Sequence, residues 1–546
     1  MTDLKTKPFY LDDTQCRWVE DTLSSMTDEE KIGQLFCVMG GDYGKEQLKD
    51  MVRHGRVGGI LYRPAPAQEI RDNYVPLDEA AKIPLLKAAN LEEGGSGIIT
   101  DGTLYGWPML VAATGDADEA ERFGAVCAAE GRSVGINWTF SPVCDLDLNF
   151  RNPITNVRTF GSDLDTVLGC AGKYIRSVQK GGIAACAKHF PGDGVDFRDQ
   201  HLHPTYNSLS AEDWYGSYGK IYEQLIDDGL MSVMVGHICQ PSVSMDINPG
   251  LSFADCLPAS LSPELLQGVL RGRYGFNGVI TTDATIMAGF TMAMERRPAL
   301  PAAIMAGCDM LVFNMDFEED FRYLLEGLGN GLLTKERLDE AVERILALKA
   351  RVCFGSGTVS AVPSKKWHRA CAERAITLVK STDPDVLPMT AERYPNIRLV
   401  LLGKDDILDG SVGEIARKYL AEKGFHVEIY DPLADDLHGT SRLSASRLTL
   451  YLANYETASN QTTVRAKWCD KHALDTPRFV SEEKSVFVSL ANPYLLQDVP
   501  RVKTYINAYT ATYDTITLTI DKLMGLSQFK GVSPVDAFCG LPDARL

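Results

Sequence analysis

No apolar run in this chain reaches the roughly 18 residues that a membrane span needs, so no segment reads as a transmembrane helix. No CxxC pair occurs among the 13 cysteines, which speaks against a zinc ribbon or a thioredoxin-type redox motif. An odd number of scattered thiols fits a reducing compartment better than a disulfide framework. Basic residues are in deficit: 55 Lys and Arg stand against 73 Asp and Glu, a formal net charge of -18. That balance argues against nucleic acid or an anionic membrane surface as partner, because both need a basic footprint. No apolar segment follows Met1-Thr2-Asp3-Leu4-Lys5-Thr6-Lys7, so the expectation is no secretory leader and a cytoplasmic location. Internal repeats and low-complexity tracts are absent as well.

What is there is ordinary globular composition, 45% hydrophobic and 23% charged, spread over 546 residues. That is too long for one hydrophobic core, so at least two domains are expected. Short apolar runs alternate with amphipathic stretches over the first part of the chain, the rhythm of a parallel α/β domain. The candidate strands are Ile32–Val38, Val57–Tyr62, Pro84–Ala89, Ile136–Val143, Ala184–His189, Ser232–Ile238, Gly278–Asp283 and Met310–Asn314. They predict a (β/α)8 barrel of the TIM type over residues 1–354. The rival is a doubly wound sheet, disfavoured because no GxGxxG turn opens a helix after the first strand.

Helix signals fit the same frame. Thr27-Asp28-Glu29-Glu30 reads as a capping box, and Thr334 as the cap of a helix buried through Leu338, Val342, Ile345 and Leu346. Gly, Ser and Pro363 make 355–366 the linker candidate. A second βα series then predicts a C-terminal α/β sandwich over 367–546. Its strands would be Arg398–Leu402, His426–Tyr430, Arg447–Leu452, Ser485–Leu490 and Thr504–Tyr509.

Chemistry in such a barrel gathers at the carboxyl ends of the strands. There the sequence puts Asn90 and Glu92 after the third run, Asp145 and Asp147 after the fourth, and Lys188-His189 at the end of the fifth. His237 follows the sixth run, Asp283 ends the seventh and Asn314 ends the eighth. The densest segment is AKHFPGDGVDFRDQHLHP, from Ala187 to Pro204. Pro191, Gly192 and Gly194 end its strand and begin a loop carrying Asp199 and His201. An Asp-x-His spacing lets a carboxylate orient an imidazole, and an imidazole both gives and takes a proton near neutral pH. By itself the pair also fits a solvated loop. A metal site drawn from His189, Asp193, Asp199, His201 and His203 is a further alternative, but the spacings match no closed zinc pattern, and no metal or cofactor is called for. Asp283 ends the β-branched run Gly278–Asp283 and fits two roles, a cap for the next helix or a nucleophile at an anomeric carbon.

The KHFPG…DxH and GVITTDATIM segments resemble glycoside hydrolase family 3, in its β-N-acetylglucosaminidase (β-hexosaminidase) branch. That branch carries K-H-F-P-G-H-G followed by D-S-H; this chain reads KHFPGDG and DQH at the same offsets. Further resemblance lies in Thr139-Phe140-Ser141-Pro142-Val143, Asn152-Pro153…Arg158-Thr159-Phe160, Pro258–Ser262, Arg344–Lys349, SLANPYLL and Phe529-Lys530-Gly531.

The resemblance implies a retaining glycosidase that releases terminal N-acetyl-β-D-glucosamine from oligosaccharides or glycosides. Asp283 would be the nucleophile and His201 the acid/base, oriented by Asp199. Lys188, His189, Arg158 and His237, with Asn90 or Glu92, would bind the sugar. Other readings of the same site are a phosphate-dependent phosphorylase, a β-glucosidase or β-xylosidase, and an inactive sugar-binding homologue. Three departures stand out. Asp193 replaces a histidine and adds a carboxylate near the site. Gln200 replaces a serine, and is expected to be neutral because only the residues flanking it do chemistry. At LEEGG, the family's aspartate has no clean counterpart.

Overall fold

The computed structural model describes residues 3–354, 360–432, 447–470 and 472–546. The chain forms two compact units: Met1–Tyr105, Glu121–Asn152 and Val167–Val362 make the first, and Gly106–Ala120, Pro153–Thr166 and Pro363–Leu546 the second. Two short excursions of the barrel sequence, 106–120 and 153–166, thus cluster with the C-terminal residues. Ser364–Lys366, read as linker, open the helix Ser364–Ala375, and 355–359 lie outside the described residues.

The first unit is a closed parallel barrel of eight strands: β1 Phe36–Met39, β2 Gly59–Leu61, β3 Leu86–Ala89, β4 Trp138–Thr139, β5 Ala184–Phe190, β6 Ser232–Val235, β7 Val279–Ala284 and β8 Met310–Val312. Each strand pairs with its neighbour in sequence, and β8 closes on β1 through Phe36↔Leu311 and Cys37↔Val312. The apolar runs are strands because both of their faces are covered; all seven residues of β5 are buried.

Two of the strand boundaries that differ from the sequence reading have a clear local cause or consequence. Ile32–Gln34 belong to the helix Asp28–Gln34, whose capping box (Thr27 with Glu30) is present, because the capping signal outweighs a short apolar run. The fourth strand is confined to Trp138–Thr139; beyond it the chain stays linked to the fifth strand through the Ser141 and Pro142 carbonyls and an isolated bridge between Val143 and Lys188. Thr334 caps the helix Lys335–Cys353, which buries Leu338, Val342, Ile345 and Leu346.

At the amino ends of β7 and β8, Asp309 is fully buried. It accepts from Arg271 Nη2 (2.6 Å), Arg337 Nη2 (2.7 Å) and the Ile280 amide (2.9 Å). Burial alone would raise its carboxyl, but Arg271, Arg337 and Arg344 outweigh that and hold it below the ordinary range.

The second unit holds a six-stranded sheet built from β9 Thr377–Ser381, β10 Asn396–Gly403, β11 His426–Ile429, β12 Arg447–Asn454, β13 Ser485–Ser489 and β14 Thr504–Asn507. Its order is β9-β14-β13-β12-β10-β11, parallel except for the antiparallel β9. Alternate residues feed two cores: Ile397, Leu399, Leu450 and Val488 on one face, Val400, Leu402, Tyr451 and Phe487 on the other. Both faces are therefore packed, as in an α/β sandwich. β9 escaped the sequence reading because it sits alone, beyond the helix Ser364–Ala375, without a βα partner before it. Among the described residues no disulfide forms, and no helix is long and apolar enough to cross a membrane.

Candidate active site

The carboxyl ends of β3, β5, β6 and β7 bring the predicted polar residues together. Lys188 lies in β5, where its ammonium is buried against Glu92 Oε1 at 2.5 Å. Glu92, not Asn90, is thus the residue after β3 that enters the site; Asn90 is exposed. His189 follows Lys188 and is fixed by Asp145, whose carboxylate accepts from both the His189 amide (3.1 Å) and Nδ1 (2.8 Å). That bond commits Nδ1 as donor and leaves Nε2 facing Asp283 Oδ2 at 3.9 Å. The Lys188–His189 and Phe190–Pro191 peptides are both cis.

Asp283 sits near the end of β7 with its side chain 15% exposed, and its Oδ1 accepts from the Ala284 amide at 2.7 Å. Burial pushes its carboxyl up, but His189, His237, His201 and Lys188 together outweigh burial and hold it below the ordinary carboxylate range. The result is an anionic carboxylate in a ring of basic side chains, the electrostatic condition for a nucleophile.

The turn after β5 begins at Gly192 with φ 122°, where a Cβ would fall 2.1 Å from the Tyr218 ring. It ends where Thr205–Tyr206 pairs in parallel with Ile238–Cys239. Within it, Asp199 Oδ1 accepts from the His201 amide (2.8 Å) and from His201 Nδ1 (2.6 Å). The Asp-x-His dyad read from spacing therefore exists, with Asp199 buried and His201 20% exposed. Since Nδ1 is taken, Nε2 is the nitrogen that can exchange a proton with a ligand.

His237 is placed differently from expectation. It is fully buried, Nδ1 meets Ser260 Oγ at 2.9 Å, and Nε2 donates to the Ala284 carbonyl at 3.1 Å. Burial lowers its pKa to about 4, with Asp283 pulling partly the other way. With both ring nitrogens engaged, His237 supports the β7 end beside Asp283 and offers no ring nitrogen to a sugar hydroxyl. Arg158 lies in the second unit, half-buried in the turn Asn156–Arg158, with Nη1 on the Ile154 carbonyl at 3.3 Å.

Asp193 is only 2% exposed and does not open into the site. Its Oδ1 accepts from Asn152 Nδ2 (2.8 Å) and the Gly194 amide (2.7 Å), and its own amide donates to Asp145 Oδ1 (2.8 Å). Burial, and then the charge of Asp145, raise its pKa to about 6. The charges that act on the Asp193 carboxyl are those of Asp145 and His189. Sequence reasoning gave Asn152 and Ser260 no site role, took Gln200 as neutral, and saw Asp145 only as a polar strand end. Polar residues one turn beyond a strand were the available signal. Among the described residues, no three His, Cys, Asp or Glu side chains are arranged to hold a metal ion.

A parallel barrel with an ionised carboxylate at one strand end and carboxylate-paired imidazoles beside it meets the requirements of the barrel glycosidase class. Residues 27–348 match the family model described as glycosyl hydrolase family 3 N terminal domain, and the chain belongs to that family. It is 43% identical over 568 residues to the "Beta-N-acetylglucosaminidase/beta-glucosidase" of Cellulomonas fimi, with 100% of both chains covered. A "Beta-hexosaminidase" of Pseudomonas aeruginosa is 31% identical over 286 residues, 51% of this chain and 81% of that protein. Among solved structures, a beta-glucoside phosphorylase bound to 2FGlc is 44% identical with a TM-score of 0.93, covering 98% of this chain and 99% of that one. A family 3 β-N-acetylglucosaminidase from a Paenibacillus species, 23% identical with a TM-score of 0.79 over 95% of this chain and 100% of that one, shares the fold.

Proposed function

We propose that this protein is a retaining enzyme acting on terminal β-N-acetylglucosaminides and β-glucosides through a covalent glycosyl-Asp283 intermediate. The observation that carries this reading is the pairing of an Asp283 carboxylate held ionised with a separate imidazole, His201, fixed by Asp199. In the first step an Asp283 oxygen attacks the anomeric carbon while His201 Nε2–H protonates the departing glycosidic oxygen, so that the C–O bond breaks without an alkoxide leaving. In the second step neutral His201 takes the proton from the incoming acceptor, whose oxygen displaces Asp283. Lys188, Glu92 and His189 offer donors and acceptors for sugar hydroxyls, and Asp145 holds His189 in one tautomer.

The aryl glycosides of N-acetylglucosamine, glucose and xylose form the deciding panel. Turnover of the first two, lost in Asp283→Asn, with trapping of the native enzyme by a 2-fluoro sugar, supports the reading. Full activity in Asp283→Asn sinks it.

A second reading concerns the acceptor. The base is an imidazole and not a carboxylate, so an incoming phosphate meets no like charge from it, and the 44% identical solved structure carries the name beta-glucoside phosphorylase. The same panel run with and without inorganic phosphate separates the two. A sugar 1-phosphate product identifies phosphate as acceptor; free sugar alone identifies water.

A further inference from the structure

The two positions at which this chain departs from the KHFPGHG and DSH patterns touch each other. Gln200 Nε2 donates to Asp193 Oδ2 at 3.3 Å, and Gln200 Oε1 accepts from the His237 amide at 2.8 Å. Gln200 is fully buried, although it stands between the two members of the proton-transfer dyad. Its side chain therefore spans from the turn after β5 to the end of β6, with both ends of its amide satisfied. A serine hydroxyl, attached directly to Cβ, is too short to reach both partners, so the glutamine makes contacts that a serine there could not.

The turn is held from the opposite side as well. The Ala288 amide donates to the His201 carbonyl at 3.0 Å. At Gly289 a Cβ would fall 2.3 Å from the Gln200 carbonyl oxygen, so the glycine lets the turn seat against the segment after β7. Asp193 in turn is anchored by Asn152, and by Asp145 through its own amide. The dyad turn thus rests on β5, β6 and β7 at once.

We propose that Asp193 and Gln200 form a latch that keeps the Asp199–His201 turn seated over the site, so that the acid/base is preassembled before substrate arrives. Both are positioning residues: neither needs to touch the sugar. This rests on His201 being the acid/base, and its main consequence falls on the proton-transfer steps. Asp283 itself stays in position on β7, where its carboxylate accepts from the Ala284 amide.

The dependence of rate on leaving group tests it. Dinitrophenyl, nitrophenyl and methyl glycosides of the sugar turned over best are compared in the wild type, Gln200→Met, Asp193→Ala and His201→Ala. Gln200→Met keeps length and removes both hydrogen bonds. The expected result is a fall in kcat/KM of about ten- to a hundredfold for the methyl glycoside, part of the 10²–10⁴ that general acid–base catalysis supplies. For the dinitrophenyl glycoside, which needs no protonation to leave, the fall should stay within about threefold. Labelling of Asp283 by a dinitrophenyl 2-fluoro sugar should keep its rate, which also reports that the variants are folded. Asp193→Ala should show the same pattern, and the double variant should be no worse than either single one. Equal losses for all leaving groups, or none, overturn the latch. If His201→Ala itself fails to steepen the leaving-group dependence, the acid/base assignment falls. If only the latch variants fail to do so, the assignment stands and the latch falls.

Discussion

Replacing Asp193 by Asn should stabilise the protein near pH 7.5 and not near pH 4. The Asp193 carboxyl is buried, and burial together with the neighbouring Asp145 raises its pKa from 3.8 to about 6. Two pKa units, at roughly 1.4 kcal/mol each, put about 3 kcal/mol into the difference between folded and unfolded chains. The sign follows from which state holds the proton. Between about pH 4 and pH 6 the folded protein keeps a proton that the unfolded chain has shed, so stability falls as pH rises through that window. Above pH 6 the whole cost is present. Asparagine carries no charge at any pH and removes it. The variant retains an oxygen for Asn152 and Gly194 but presents a donor to Gln200, a loss of about 1 kcal/mol. The balance is a gain of about 2 kcal/mol near pH 7.5 and a loss of about 1 kcal/mol near pH 4. Urea unfolding of both proteins at the two pH values, followed by tryptophan fluorescence, measures it. A difference between variant and wild type that is the same at both pH values would refute the reasoning, as would a variant less stable near neutrality.

Other substitutions probe separate parts of the barrel. Asp309→Asn leaves Arg271 and Arg337 buried without their counter-charge and should cost about 3–5 kcal/mol in the same unfolding assay; a loss below about 1 kcal/mol contradicts the clamp. Lys188→Met strips Glu92 of its buried partner and removes a donor, so KM for aryl glycosides should rise by about tenfold or more, the scale of one charged hydrogen bond; an unchanged KM places Lys188 outside the sugar site. Asp199→Asn should lower kcat for unactivated glycosides by about 10²-fold, because an amide can bind the wrong imidazole tautomer. Equal rates in wild type and variant would show that Asp199 does not orient His201.

Much of this was legible because the barrel writes its site into strand ends. The run Gly278–Asp283 is β-branched until the carboxylate, and Lys188-His189 closes a fully buried strand, so polarity at a predictable place marked both. The Asp199–His201 pair was legible from spacing alone, since the bond is made within one turn. What spacing does not carry is the direction of a side chain after a bend. His237 follows β6 as an ideal ligand should, yet the ring turns toward Ser260 and the Ala284 carbonyl, residues set by other loops. Gln200 looked incidental for a related reason: one partner, Asp193, lies seven residues back across a bent turn, and the other, His237, is brought to it only by the packing of neighbouring strands. The excursions 106–120 and 153–166 group with the second unit, which their composition, like that of the barrel sequence around them, does not reveal.

Asp145 is the residue whose consequences reach furthest. One carboxylate receives His189, proposed to bind the sugar, and the amide of Asp193, at the root of the turn that carries the proposed acid/base His201. On the proposed roles, sugar binding and proton delivery share one carboxylate and are expected not to vary independently. A change at Asp145 alters both at once, and substitutions near His189 will show non-additive effects with substitutions near Gln200. Selection for a new sugar is then channelled away from this corner of the barrel, toward Glu92 and the loop after β3, where the binding shell already departs from the family pattern.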